Sequence, residues 1–412
     1  MAERAPEIRL EDFTDPWEQR KLGDIAASFE YGLNAAACEY DGVNKYLRIT
    51  DIDDDTHEFR VEDLTSPQAD LAASAGYLLS EGDLLFARTG ASVGKTYLYR
   101  PFDGKVFFAG FLIRAKIGNN ADPEFVFQST LTDRYRKYVT ITSQRSGQPG
   151  VNAQEYSDFE LPLPSQPEQK QIGSLLHGLD NLITLHQREG EKYAQTKKTM
   201  LGLMFPRDGE AEPRLRFDGF TDPWEQRKLG ELATKVTQKN GDMAVMETFT
   251  NSAEFGVVSQ LNFFDHDIAK EESIGGYFVV QPEDFVYNPR ISVTAPVGPI
   301  NRNRLGRAGV MSPLYTVFRP GDAIDNAYLE HYFETSGWHD FMQLNGNSGA
   351  RSDRFSISDS VFFEMPIPYP SIKEQVSIAN ALESLDNLIT LHQRELEMLK
   401  RVKATLLRKM FV

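Results

Sequence analysis

Ten consecutive residues, Thr14-Asp15-Pro16-Trp17-Glu18-Gln19-Arg20-Lys21-Leu22-Gly23, recur unchanged from Thr221 to Gly230, an offset of 207 in a chain of 412 residues. A second block, Leu179-Asp180-Asn181-Leu182-Ile183-Thr184-Leu185-His186-Gln187-Arg188-Glu189, recurs from Leu385 to Glu395 at an offset of 206. Identical runs of this length do not arise by chance, so the chain carries a duplication or a recombination, and a repeat fixes the architecture before any local reading does. Between these blocks the halves share no similarity visible by eye. The order is box, variable region, long periodic segment, and then the same three again.

Both periodic segments open on an S-x-x-E capping box, Ser165-Gln166-Pro167-Glu168 and Ser371-Ile372-Lys373-Glu374. In such a box the Ser side chain and the Glu three residues later satisfy orphan N–H groups at a helix start. Downstream, heptad positions hold Ile172, Leu179, His186, Tyr193 and Met200, with Leu175, Leu182, Glu189, Thr196 and Leu203 between them. The second segment repeats this with Ile378, Leu385, His392, Leu399 and Leu406, joined by Ala381, Leu388, Glu395 and Val402. Two mostly apolar stripes of one register predict mutual packing as a coiled coil, with Leu175, Leu179, Leu182, His186, Leu385, Leu388 and His392 on the seam. Residues 168–205 would span roughly 57 Å as a helix, far beyond the average of about 11–12 residues.

The predicted organisation follows. Residues 1–164 hold the first box and a compact domain, and 165–205 the first long helix. Residues 206–230 hold a linker, opened by the helix-breaking Pro206 to Pro213 stretch, and the second box. Residues 231–370 form a second domain and 371–412 the second long helix. Short β-rich stretches such as Lys45–Thr50 and Tyr277–Val280, broken by Gly, Pro and Asp, give both domains an α+β reading.

Composition narrows the function. One cysteine, Cys38, excludes an internal disulfide framework and a thiolate metal cluster, which makes a reducing cytoplasm the default location. The first residues lack an apolar signal core, and no stretch approaches the ~18 apolar residues of a membrane span. The formal charge is -16, and each variable region is acidic: 13 Lys and Arg against 21 Asp and Glu in 24–164, and 10 against 18 in 231–370. This argues against a nonspecific nucleic-acid coat but leaves room for a specific reader with local basic clusters.

Two equivalent halves related by a two-fold axis would set the long helices antiparallel, with a domain at each end: a ruler carrying two readers. DNA suits such a ruler, because half-sites one helical turn apart lie ~34 Å apart. Two readers of different sequence predict an asymmetric site split by unread bases. The D-P-W-E-Q-R-K-L-G boxes, the segment from Gly82 to Lys95, the Leu161-Pro162-Leu163-Pro164 and Met365-Pro366-Ile367-Pro368 stretches and the E-Q-containing capped helices together resemble the specificity subunit of type I restriction-modification systems. The resemblance covers essentially the whole chain. It implies two target-recognition domains separated by long antiparallel helices, each reading half of a bipartite sequence, and no catalysis by this chain. It also implies two modification (methyltransferase) subunits docked on it, with restriction subunits joining them; S-adenosylmethionine, ATP and Mg would sit on those partners and no cofactor on this chain. The second domain departs from the first, with Glu283-Asp284-Phe285-Val286-Tyr287-Asn288-Pro289-Arg290 where the pattern of Gly82 to Gly90 would recur. A different half-site is therefore expected, together with weak DNA binding by the chain alone.

In the first domain the best base-contacting loop is Ser143 to Gly150, where glycines permit close approach, Arg145 suits guanine, and Gln144 and Gln148 suit adenine, with Ser146 beside them. Asn347 to Arg354, with Arg351 and Arg354, takes the corresponding place in the second. Either loop also reads as a polar surface turn. Arg134, Arg136 and Lys137, interleaved with Tyr135 and Tyr138, read as a phosphate-contacting surface or as a solvated basic face over inward tyrosines. Arg302, Arg304 and Arg307 form a further phosphate patch. Arg88 and Lys95 flank the glycine-rich segment, Arg290 is a candidate analogue, and each has carboxylate neighbours in sequence that could pair with it instead.

Other motifs fail on spacing. Gly90 to Thr96 is one residue short of a phosphate-binding P-loop. Asp51, Asp53, Asp55, His57 and Glu62 imitate an EF-hand, but Thr56 replaces the turn glycine. No metal spacing is evident among the seven His, so no metal site is predicted, and His186 and His392 read as a polar layer fixing helix register. Asn288-Pro289-Arg290 is not the N-P-P-[YF] motif of a methyltransferase. Two other classes stay open: a coiled-coil adaptor without DNA specificity, and an enzyme using the glycine-rich segment for phosphate.

Overall fold

A computed structural model describes residues 6–10, 13–145, 147–207, 209–261, 274–348 and 353–411. The chain divides into two compact units, Met1–Glu189 with His392–Val412, and Gly190–Leu391. Each long helix, Gln166–Met204 and Ile372–Met410, contributes one stretch to each unit.

In the first unit, Glu18–Lys21 of the box pairs antiparallel with Glu160–Leu163, so the box closes the variable region on itself. The central sheet is antiparallel, in the order Ala26–Tyr31, Leu112–Ile117, Asp83–Ala87, Thr96–Leu98. Asp83–Ala87 is buried throughout. Its alternate residues serve different cores: Leu84 and Phe86 pack with Ile172, Leu176, Leu407 and Met410 of the long helices, whereas Leu85 and Ala87 pack with Leu47, Val106 and Phe108. A strand covered on both faces reads as a continuous apolar run, as this one does.

The second unit repeats the frame. Glu225–Lys228 pairs with Pro366–Tyr369, and the sheet order is Ala233–Lys235, Thr316–Pro320, Phe285–Tyr287, Ile300–Arg302. Phe285 and Tyr287 face a core with Met204, Ile378 and Leu382, while Val286 faces Phe249 and Met311. The first unit has a parallel pair of strands, Asn44–Leu47 with Lys105–Phe108, while the second, among the described residues, has the single parallel bridge of Thr248 with Val310.

The Glu and Gln at each helix start explain why the frame recurs. Glu168 is fully buried and accepts from Arg9 at 2.7 and 2.8 Å, and Glu374 accepts from Arg216 at 2.8 and 2.9 Å. This corrects part of the capping-box reading. Ser371 Oγ does accept the Glu374 N–H at 3.4 Å, but each carboxylate is bound by an arginine preceding the box. The neighbouring glutamines act alike. Gln169 accepts the Asp122 N–H and donates to the Pro164 carbonyl, both at 2.8 Å, while Gln375 does the same with Asp325 and Pro370 at 2.9 Å. Asp122 and Asp325 in turn cap the helices Pro123–Ser129 and Asn326–Phe333.

The long helices run antiparallel where they meet. Lys403 pairs with Asp180 and His186 meets His392 in the first unit; Lys197 meets Asp386 at 2.7 Å in the second. The seam is shifted from the expected one. Ile172, Leu176 and Ile183 are buried, whereas Leu175 and Leu182 are 41% and 44% exposed. Leu179, Leu385 and Leu388 are half-buried. Apolar residues stand side by side at 175–176 and 182–183, so the periodicity admits two phases one residue apart, and packing buries the later of each pair, whereas Leu388 and Ile389 are both half-buried.

Candidate nucleic-acid interface

In the first unit the strand Asp83–Ala87 delivers Arg88 to the sheet end. Its guanidinium lies 5.1 Å from the Tyr31 ring and 5.9 Å from that of Phe111. Such a sandwich holds a cation by ring electrostatics and limits its rotamers. Its backbone is fixed as well, the N–H donating to Phe111 at 3.0 Å and the carbonyl accepting from Val151 at 2.9 Å. A cleft of about 710 Å³ opens here, lined by Tyr31, Asn34, Tyr46, Arg48, Arg88 and Phe111 among others.

The loop from Ser143 joins this place. Gly150 bridges Thr89, and the Gly90 N–H donates to the Pro149 carbonyl at 3.0 Å. Gly90 has φ +73°, a left-handed backbone conformation that favours glycine at this crossing. Gln144, Arg145 and Gln148 are exposed, with Arg145 paired to Glu155; Ser146 lies outside the described residues.

The second unit makes the corresponding connection with other residues. Arg290 bridges Arg354, the Ile291 N–H donates to Asp353 at 3.0 Å, and the Phe355 N–H donates to Pro289 at 2.7 Å. Arg290 is exposed and Arg354 half-buried; Arg351 lies outside the described residues. Val293, three residues beyond Arg290, is fully exposed, and Leu344 ahead of the second loop is 84% exposed.

Other candidates are engaged elsewhere. Arg302 does not form the open patch expected of it: its side chain is only 8% exposed and sits among Glu283, Glu330 and Glu383 at 3.0, 2.7 and 3.5 Å. Arg304 is held by Glu330 and Glu383, and Arg307 by both oxygens of Glu247 at 2.7 Å. The expected patch is a neutralised network, because carboxylates remote in sequence fold against it. Lys95 donates to the Ile52 carbonyl at 3.0 Å and meets Asp54 at 2.6 Å.

The segment from Gly90 to Lys95 is a single 3-10 turn, Gly90–Ser92, between two antiparallel strands and opens no α-helix, which removes the phosphate-cradle geometry. Along the helix Asp133–Thr142, Tyr135 is buried and Tyr138 half-buried, while Arg134, Arg136 and Lys137 are exposed and Arg136 meets Asp133 at 3.1 Å. The basic face over inward tyrosines is the arrangement found.

The acidic turn at 51–55 is a set of local bonds. Asp51 holds Arg48 at 2.7 Å, and Asp53 accepts from the Asp55 and Thr56 N–H groups, each at 2.9 Å. Burial pushes the Asp53 carboxyl up, but those bonds and Arg60 outweigh it and hold it down to about 2.

The family model described as Type I restriction modification DNA specificity domain matches residues 14–192 and again 221–401. The chain belongs to this family. It is similar to a putative type I restriction enzyme MjaX specificity subunit of Methanocaldococcus jannaschii, at 24% identity over 430 residues, covering 97% of this chain and 94% of that protein. A type I restriction enzyme MjaVIII specificity subunit of the same organism is 24% identical over 345 residues, 79% of this chain and 77% of that protein. The crystal structure of a type I restriction-modification system S subunit from M. genitalium shares the fold, with TM-score 0.65, 12% identity and 99% of both chains covered. As in that fold, this member of the specificity-domain family is α+β with two target-recognition domains and two long helices. Among the described residues no helix is long and apolar enough to cross a membrane.

Sequence reasoning missed Tyr31, Phe111 and Arg48 beside Arg88. Their faint signal is glycine next to an aromatic: Tyr31-Gly32 and Gly110-Phe111 meet because a Cβ on Gly32 would stand 2.1 Å from the Ala109 carbonyl. It also missed Arg9 and Arg216, which are equivalent at the 207-residue offset.

Proposed function

We propose that this chain is the DNA sequence-reading subunit of a type I restriction-modification complex, using one target-recognition domain for each half of an asymmetric bipartite target. The observation that carries this is the pairing of like frames with unlike tips: one sheet order in both units, ending on Arg88 between two rings in one and on Arg290 beside Arg354 in the other. Arg88, with Gln144, Arg145, Ser146 and Gln148, reads the first half-site; Arg290, Arg351 and Arg354 serve the second. Arginine pairs in a bidentate manner with guanine O6 and N7, and glutamine with adenine N6 and N7. Arg134, Arg136 and Lys137 contact phosphate and carry no base information.

The chain performs no catalysis. Two modification subunits dock on the long helices, where Leu175, Leu182, Leu185 and Leu391 are exposed, and restriction subunits join them. S-adenosylmethionine, ATP and Mg reside on those partners, in the cytoplasm. Because both variable regions are acidic, the partners supply much of the phosphate neutralisation and the isolated chain binds DNA weakly. The test is genome-wide adenine methylation in cells with the modification subunit, with and without this chain. Loss of one motif of two short halves around a fixed gap supports the reading, whereas identical methylation with an active complex present leaves a protein-binding adaptor as the alternative.

A further inference from the structure

Where the second long helix passes the first inside the first unit, the duplicated Leu-His-Gln-Arg-Glu stretch meets its own copy. His186 Nδ1 lies 3.0 Å from His392 Nδ1 and 3.1 Å from a Glu395 carboxylate oxygen. Donor atoms of these three residues all fall within 4.8 Å of one another. The other nitrogen of His392, Nε2, faces a Glu189 oxygen at 3.9 Å. A polar layer needs no such convergence: one shared proton satisfies a pair of ring nitrogens, and here three lone-pair-bearing atoms crowd a single point. In a tetrahedral zinc site with bonds of about 2.0–2.1 Å, neighbouring ligand atoms stand about 3.3 Å apart, within a few tenths of both distances found.

We propose that His186, His392 and Glu395 form a binding site for a divalent transition-metal ion of the zinc class. Imidazole and carboxylate are the donor set such ions accept. Glu189 stands behind the ligand: at 3.9 Å from Nε2 its carboxylate is too far for a hydrogen bond as it stands, but its charge favours the proton on Nε2 and so directs Nδ1 to the ion, the place carboxylates commonly take behind ligating histidines. Solvent completes the shell, since the Glu395 side chain is 38% exposed. Arg188, two residues after His186 on the first helix, lies 3.7 Å from Glu58. The repeated block thus supplies two unlike roles, Glu395 as ligand and Glu189 behind the ligand. A second His and carboxylate cluster, at His331, Glu334 and Asp386, is different: Lys197 already stands between its carboxylates at 2.6 and 2.7 Å.

The ion would cross-link the two helices at one register and make that register sensitive to chelators. The experiment uses the untagged full-length chain, stripped by chelator dialysis and titrated with Zn²⁺ alone against a chromogenic competitor. About one ion per chain is expected, with a raised unfolding temperature. Co²⁺ in its place is expected to give the visible absorption of a four- or five-coordinate site. Glu189→Gln should weaken Zn²⁺ binding about 10–100-fold, and His392→Gln by more. Binding well below one ion per chain, or undiminished binding by the His186→Gln/His392→Gln double variant, overturns the proposal. If the histidine variants lose helical circular dichroism, the unmodified chain decides: a Zn²⁺-dependent rise in unfolding temperature upholds the site and an unchanged temperature overturns it.

Discussion

The two units solve the same folding problem with the same residues and carry different residues at the sheet ends. Arg9 with Glu168 and Arg216 with Glu374 are near-identical bidentate pairs, as are the contacts of Gln169 and Gln375. At the sheet ends the likeness stops. Arg88 is packed between Tyr31 and Phe111, whereas Arg290 is exposed and shares a backbone bridge with Arg354. Even the frame carries one difference, since Trp17 donates to Glu168 at 3.3 Å while Trp224 Nε1 is buried with no partner among the described residues. The lesson is that a duplicated scaffold holds the buried ionic and amide contacts constant, because losing either partner is costly, and lets the tips diverge.

The strongest test of that equivalence removes one arginine at a time. Arg9→Ala and Arg216→Ala each leave a buried carboxylate without its cation, a loss of about 3–5 kcal/mol. Chemical denaturation of the purified chain is expected to show similar losses for both. A large loss in one alone breaks the comparison.

The reading tips should respond separately. Arg88→Ala is expected to relax one half of the methylated motif and Arg354→Ala the other, by about 1–3 kcal/mol of discrimination each, measured by methylome sequencing. Relaxation of both halves by either variant would contradict one tip per half-site.

A smaller effect distinguishes engaged from available arginines. Arg304→Ala should leave the salt dependence of DNA binding by the assembled complex unchanged, since Glu330 and Glu383 already hold that side chain. A salt slope reduced by about one would return it to the phosphate-contacting set.

The smallest concerns pH. Burial raises the Glu30 carboxyl, but Arg114, Ser28 and Lys116 outweigh it and hold it at about 2, below its ordinary 4.5. A depressed carboxylate contributes stability that is full above its unfolded value and disappears as pH falls through the folded one. Glu30→Gln should therefore narrow the stability difference from the unmodified chain as pH drops from about 4.5 toward about 2, followed by thermal unfolding. A difference that widens over that range would reverse the sign.

The sequence alone determined what rests on local chemistry and on repetition: the duplication, the two long helices, the Pro-rich break after the first, and the positions of the two loops that meet the sheet ends. Heptad spacing and punctuation by Gly and Pro act over a few residues, so they are legible in a string. Tertiary structure alone decided which of two adjacent apolar residues faces the seam, since both phases satisfy the same periodicity. It also decided which arginines remain available. Arg302 and Arg88 look alike in sequence, yet one is enclosed by carboxylates up to 81 residues away and the other is set between rings 57 and 23 residues away. Charge neutralisation and ring packing are properties of through-space neighbours, and only the fold brings those neighbours together.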